Sequence, residues 1–132
     1  MATREITLDN LQPTVSGSDI VLLDFWAAWC GPCRAFAPVF EAASRKHPDV
    51  VFGKVDTEAQ QELAAGFRIT SIPTLMAFRE GVLVFAQPGA LPAPQLEQVI
   101  AAVRDLDMDE VHAKAAAHEQ QEQQERQEQV AR

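Results

Sequence analysis

One stretch does most to limit what this chain can fold into: Ile20-Val21-Leu22-Leu23-Asp24-Phe25-Trp26-Ala27-Ala28-Trp29 is apolar throughout except for a single acid. A strand with one wet face alternates apolar and polar residues. An unbroken run belongs to a strand covered on both faces, as in a parallel or mixed sheet flanked by helices. The run is also far shorter than the roughly 20 residues needed to cross a bilayer. With 132 residues, 47% of them hydrophobic, the chain has the material for one well-filled core. The expectation is one α/β layered domain and no membrane span.

Other elements fall around that strand. Arg4-Glu5-Ile6-Thr7-Leu8 alternates like a short strand, and a polar stretch through Pro13 and Ser16-Gly17-Ser18 leads into the apolar run. Downstream, Phe36, Val39, Phe40 and Ala43 recur at helical spacing behind Gly31-Pro32, where proline suits a first turn, and His47-Pro48 ends the pattern. Pro38 lies inside it and removes one backbone hydrogen bond, so one kinked helix is expected rather than two. Val50 to Val55 reads as a second buried strand, and Thr57 with Gln60 fits a capping box opening a short helix to about Ala65. Pro73 to Phe78 and Val82 to Phe85, joined by Arg79-Glu80-Gly81, read as a hairpin. Gln95 to Val103 places Leu96, Val99, Ile100 and Val103 on one helical face. The order is strand, helix, strand, helix, strand, helix, then hairpin and helix.

The net charge of −8, with no clustering of the eleven Lys and Arg residues, argues against a nucleic-acid partner. Met1-Ala2-Thr3-Arg4-Glu5 lacks the basic start and apolar core of a signal peptide, so the expected compartment is the reducing cytoplasm. From residue 105 onward there are eight acids against three bases, which leaves only three of the eight net negative charges to residues 1–104. Asp107 followed by Glu110 resembles a helix start, and residues 119–129 contain no apolar side chain. Pairs Glu122 with Arg126 and Glu128 with Arg132 would each add only about 0.2–0.5 kcal/mol to a helix there. The expectation is a domain over residues 1–106 and a polar, helical extension over 107–132, docked only through Met108 and Val111. Without an apolar heptad seam in that extension, a monomer is expected.

The two cysteines, Cys30 and Cys33, stand in Trp29-Cys30-Gly31-Pro32-Cys33, where the central strand gives way to a helix. That spacing lets the sulfurs close a small disulfide and open it again. A helix N-terminus, with its unpaired N–H groups and positive dipole end, favours a thiolate at Cys30. The same spacing also serves as half of a zinc site or as two unconnected buried thiols. Zinc needs four ligands, and the other candidates are His47, His112 and His118, with no second pair at finger-like spacing. A redox dithiol without metal is the leading reading. Asp24 is either a buried, unpaired carboxylate with a raised pKa or an acid at a strand end facing water, and its surroundings in the sequence leave both open.

The segment from Asp24 to Cys33, then Ile72-Pro73-Thr74, then Gly89-Ala90-Leu91, resembles the thioredoxin family over residues 4 to about 106. The resemblance implies a thioredoxin fold: a central mixed β-sheet, parallel strands plus a C-terminal antiparallel hairpin, flanked by helices on both faces. It implies a protein disulfide reductase cycling by thiol–disulfide exchange, with Cys30 attacking and Cys33 resolving. Asp24 would be the buried acceptor of the Cys33 proton, and Lys54 its supporting neighbour, although a strand lysine that simply reaches solvent is the plain reading of Lys54. A cis bond before Pro73 would turn the backbone of Ile72 toward a bound substrate strand. Trp29, Gly31, Pro32, Ile72, Gly89 and Ala90 would form a flat apolar surface around Cys30, with Trp26 as core support beneath.

The same resemblance implies no bound cofactor beyond the redox-active disulfide Cys30–Cys33. Its partners would be disulfide-containing proteins and a thioredoxin reductase using NADPH or reduced ferredoxin. Gly-Pro between the cysteines resembles the reducing members of the family. Departures are Pro88 before Gly89, where a residue with a free N–H is usual, Arg34 in place of the common lysine, and the extension beyond residue 106. A different class of function also fits: a binding module or folding helper that recruits a partner through that extension.

Overall fold

The structure, a computed structural model, describes residues 2–131. In chain order its elements are β1 (Thr3–Glu5), α1 (Leu11–Ser16), β2 (Ile20–Trp26), α2 (Gly31–Lys46), β3 (Val51–Asp56), α3 (Gln61–Gly66), β4 (Thr74–Arg79), β5 (Val82–Pro88), α4 (Ala93–Arg104) and α5 (Met108–Ala131). The five strands form one sheet in the order β1-β3-β2-β4-β5. β3 runs parallel to both β1 and β2, whereas β4 is antiparallel to β2 and to β5.

The unbroken apolar run is explained by the position of β2 in the middle of this sheet. Ile20 and Leu22 point to one face, where they join Phe52, Leu75 and Ala77 under Phe36, Phe40 and Ala43 of α2 and Leu96, Ile100 and Val103 of α4. Val21, Leu23 and Phe25 point to the other face, with Val55, Met76 and Phe78, under Leu63 of α3 and Leu11 and Val15 of α1. Each large side chain fully buried in these two layers contributes about 1.5–3 kcal/mol. At Gly53 a Cβ would lie 2.5 Å from Ile6 Cγ1 and 2.9 Å from Leu23 Cδ2, so glycine is what lets Ile6 pack flat on β3.

Several boundaries differ from the sequence reading. The strand expected over residues 4–8 is paired only over Thr3–Glu5, and Asn10 then turns the chain by accepting from Thr7 N (2.7 Å) and donating to Glu5 O (2.9 Å). β2 stops at Trp26 instead of Trp29, because the chain turns over Ala27–Trp29 and Cys30 N donates back to Ala27 O at 3.2 Å. Pro38 sits within a single continuous α2.

The capping box at Thr57 and Gln60 does not form. The Thr57 hydroxyl donates to Trp26 O (3.0 Å), the Gln60 side chain accepts from Leu8 N (3.0 Å), and α3 starts at Gln61 without a side-chain cap. Asp56 claims the turn instead, its Oδ1 accepting from Glu58 N and Ala59 N at 3.0 and 3.3 Å. A local capping preference yields here to tertiary partners for both of its side chains.

The extension is one 24-residue helix, α5, whose start is capped by Asp107 Oδ1 accepting from Asp109 N and Glu110 N. Met108, Val111 and Ala115 are half-buried, and everything described beyond Ala115 is exposed. Docking is therefore somewhat wider than expected. Val111 and Ala115 face Val82, Leu83 and Val84 of β5 across a groove, and His112 Nε2 lies 3.0 Å from Glu80 Oε1. Glu122 faces His118 Nδ1 at 3.4 Å, an i,i+4 pairing in the direction opposite to Arg126. Arg132, the expected partner of Glu128, lies outside the described residues. Among the described residues no helix is long and apolar enough to cross a membrane.

Candidate active site

β2 and α2 meet at the cysteines. Cys30 is the N-cap of α2, with extended backbone (φ −86°, ψ 114°), and its Sγ accepts a hydrogen bond from Cys33 N at 3.2 Å. Sulfur thus occupies the place that a Ser or Asp oxygen takes in an ordinary cap, and the same donated N–H that satisfies the helix end favours negative charge on that sulfur. Pro32 sits in the first turn, where its missing N–H costs nothing. Cys30 and Cys33 form a disulfide with Cα atoms 5.2 Å apart. Cys30 is 5% exposed and Cys33 2%, so a reagent arriving from solvent meets Cys30 first.

Ala27 is fully buried and clusters with Cys30 and Cys33, and Trp26 and Ile72 pack against that cluster. The Ile72–Pro73 peptide bond is cis, and the Ile72 carbonyl oxygen lies 3.7 Å from Cys30 Sγ. Gly89, at φ +103°, donates its N–H to Pro73 O at 2.8 Å, which pins the end of β5 to this loop. Trp29 (66% exposed), Gly31, Pro32, Gly89 and Ala90 are open to solvent, Ile72 is half-buried, and Pro73 is buried beneath them. The structure thus places Ile72 beside Cys30 and links Gly89 to the same loop through Pro73, with Pro73 itself buried, whereas Ala90 is simply exposed next to Gly89 in the chain.

Asp24 does not face water. It is fully buried, and neither carboxylate oxygen has a hydrogen-bond partner. Burial pushes its pKa up from 3.8 to about 7, against the opposing pull of the Lys54 charge. Lys54 stands beside it across the β2–β3 ladder, half-buried, with its Nζ 4.8 Å from the centroid of the Trp26 ring. Among the described residues no group of three or more His, Cys, Asp or Glu side chains is placed to hold a metal ion.

Two residues near the site carry no signal in the sequence reading as contacts. Glu58, in the turn after β3, accepts a hydrogen bond from the Trp29 indole Nε1, and Arg34 Nη1 donates to Ala28 O at 2.9 Å. They hold the Ala28–Trp29 turn from either side. Nothing local marks Glu58, because it lies 29 residues from Trp29 and is brought there by sheet pairing alone.

A family model for thioredoxin matches residues 2–102. The chain belongs to the thioredoxin family. It is 60% identical over 119 residues to putative thioredoxin 2 of Streptomyces coelicolor, covering 90% of this chain and 88% of that one. It is 44% identical to the thioredoxin of Alicyclobacillus acidocaldarius, over 77% of this chain and 98% of that one. Among solved structures, a mutant thioredoxin from Halobacterium salinarum superposes with a TM-score of 0.74 at 30% identity (80% of this chain, 94% of that one). Plasmodium falciparum thioredoxin gives 0.71 at 33% (76% and 98%). The protein has the thioredoxin fold and is a thiol–disulfide oxidoreductase whose redox centre is Cys30–Cys33. A match of 119 residues also exceeds the 106 of the expected domain, so the likeness to the Streptomyces protein runs into α5.

Proposed function

We propose that this thioredoxin works as a protein disulfide reductase, with Cys30 as the attacking sulfur and Cys33 as the resolving one. The observation that carries the order is the asymmetry of the pair: Cys30 caps α2 through its sulfur and is the more exposed, whereas Cys33 is enclosed in the first turn. In the reduced protein the Cys30 thiolate attacks one sulfur of a target disulfide, forming a Cys30–target bond and expelling the other target sulfur as a thiolate. Cys33 then gives up its proton to Asp24 and attacks Cys30 Sγ, breaking the mixed disulfide and releasing the second target thiolate. The target gains two electrons and the protein is left with the Cys30–Cys33 disulfide.

Asp24 suits the acceptor role because a carboxylate with a pKa near 7 exchanges a proton with least cost at neutral pH. Lys54 supports it by opposing the burial effect. Trp29, Gly31, Pro32, Ile72, Gly89 and Ala90 offer an apolar seat for an extended target segment. The Pro73 carbonyl accepts from Gly89 N, and the Ile72 backbone, whose carbonyl lies beside Cys30 Sγ, would pair with that segment. Residues 1–106 would carry this chemistry as a monomeric cytoplasmic domain, with 107–132 as an extension. A thioredoxin reductase drawing on NADPH or reduced ferredoxin would return the two electrons.

The test is reduction of insulin by the full chain with NADPH and a thioredoxin reductase, together with the reduction potential of Cys30–Cys33. Turnover with a potential at or below the cytosolic glutathione poise of about −220 to −260 mV supports a reductase. A potential well above that range overturns it in favour of an oxidant of the same fold.

A further inference from the structure

Lys54 has more than one place to go. A cleft between β1 and α2 is floored by Trp26 and Lys54, and three carboxylates line it: Glu5 from β1, Glu41 from α2 and Asp56 from β3. Arg4 and Arg45 line the same cleft, and its volume of about 640 Å³ leaves ample room for a lysine side chain to swing outward. A flexible, strongly hydrated ammonium would ordinarily be drawn toward such acids and water. Yet among the described residues Lys54 makes no ion pair with any of them. Glu41 is engaged by Arg45 (3.6 Å) and by the Thr3 hydroxyl (2.9 Å), Asp56 Oδ1 by two backbone N–H groups, and the Lys54 ammonium instead lies over the Trp26 ring.

We propose that Trp26 is a positioning residue: its indole face holds the Lys54 ammonium against the sheet, on the Asp24 side of the cleft. At 4.8 Å from the ring centroid the ammonium is inside the roughly 6 Å range of a cation–π contact. Register places Lys54 next to Asp24 in the adjacent strand, so a charge fixed over Trp26 acts on the buried carboxylate continuously. Trp26 also packs against the buried cluster of Ala27, Cys30 and Cys33, so the residue that holds the charge borders the redox centre as well. The consequence is that Trp26 governs how much of Asp24 is ionised, and thus ready to take a proton, at neutral pH.

This inference rests on Asp24 being the proton acceptor, and the experiment separates the two. Carboxyl ¹³C NMR of the full-length oxidised protein gives the titration midpoint of Asp24 directly, and the pH profile of mixed-disulfide resolution gives its kinetic counterpart. Lys54→Met should raise the midpoint by about one pH unit, a tenfold gain in proton affinity, because the opposing charge is lost. Trp26→Leu should raise it in the same direction by about threefold in affinity, and Trp26→Phe, which keeps a ring face, by less. In the Lys54→Met background neither Trp26 substitution should move it further. An unmoved midpoint in Trp26→Leu, or a shift that persists without Lys54, overturns the positioning role. Should Trp26→Leu fail to fold, Trp26→Phe carries the same two-background comparison. If Asp24→Asn leaves the pH profile of resolution unchanged, the acceptor reading falls, whereas the NMR midpoints still decide whether Trp26 acts through Lys54.

Discussion

Asp24, in the middle of β2, and Glu122, Glu125 and Glu128, on the outer half of α5, carry the same carboxyl group in opposite surroundings. Asp24 has no exposed surface and no hydrogen-bond partner. The α5 glutamates stand in water, two of them facing His118 and Gln121 one turn away at 3.4 and 3.3 Å. A buried and unpaired carboxylate is expensive, so it persists only where a well-filled core on both faces of the sheet can carry the cost. A solvated one costs nothing and, on an otherwise unpartnered helix, does little beyond keeping that helix wet. The acid count of this chain therefore says little about where its chemistry is; desolvation does.

The largest effect expected is at the sulfurs that the buried region serves. Cys30→Ser should abolish insulin reduction, whereas Cys33→Ser should accumulate a mixed disulfide on Cys30, visible as an intact-mass adduct with the target. Trapping by Cys30→Ser alone would reverse the order of roles.

Asp24→Asn probes the contrast between the two kinds of carboxylate directly. The folded protein holds the Asp24 proton more tightly than the unfolded chain, so this group favours folding when protonated and penalises it once ionised. Its penalty grows as pH rises from the ordinary 3.8 to about 7 and then levels off. Chemical denaturation should show the Asn variant more stable than the parent by about 4 kcal/mol above that window, with the gain shrinking toward acid pH. Glu125→Gln should change stability by less than about 0.5 kcal/mol at any pH. Equal effects at the two sites would erase the distinction.

Smaller effects are expected at the edges. Glu58→Ala frees the Trp29 indole and should lower kcat/KM for a protein disulfide by about fivefold, the worth of one hydrogen bond, with little change in melting temperature. Val111→Asp should detach the first turns of α5, read as faster amide exchange in Val82–Val84, yet leave insulin reduction within about twofold, since no Cys30 contact is touched. A loss of insulin reduction of about tenfold or more would undo the division between residues 1–106 and the extension.

Fold and site are legible in the sequence where the signal is dense and local. The unbroken run at Ile20–Trp26 announces a strand with two covered faces, and Phe36, Phe40 and Ala43 announce the helix that covers one of them. Trp29-Cys30-Gly31-Pro32-Cys33, with Ile72-Pro73 and Gly89-Ala90, carries the family. Local signals fail where a side chain has a distant alternative: Thr57 and Gln60 leave their capping box for Trp26 O and Leu8 N. They are silent where a contact joins residues far apart, as for Glu58 with Trp29 and His112 with Glu80.

The strand and helix order, the paired thiols at a helix entrance, and the single acid in an apolar strand all follow from the order of residues. Periodicity, residue type and short spacing act along the chain, so they can be read along it. Packing settles the rest: Asp24 is sealed without a partner, Lys54 lies over Trp26 beside it although three other acids line its cleft, and α5 docks on β5 for only its first turns. Those outcomes depend on which surfaces the sheet brings together and shields from water, and desolvation is a property of the packed volume, which no single stretch of the chain contains.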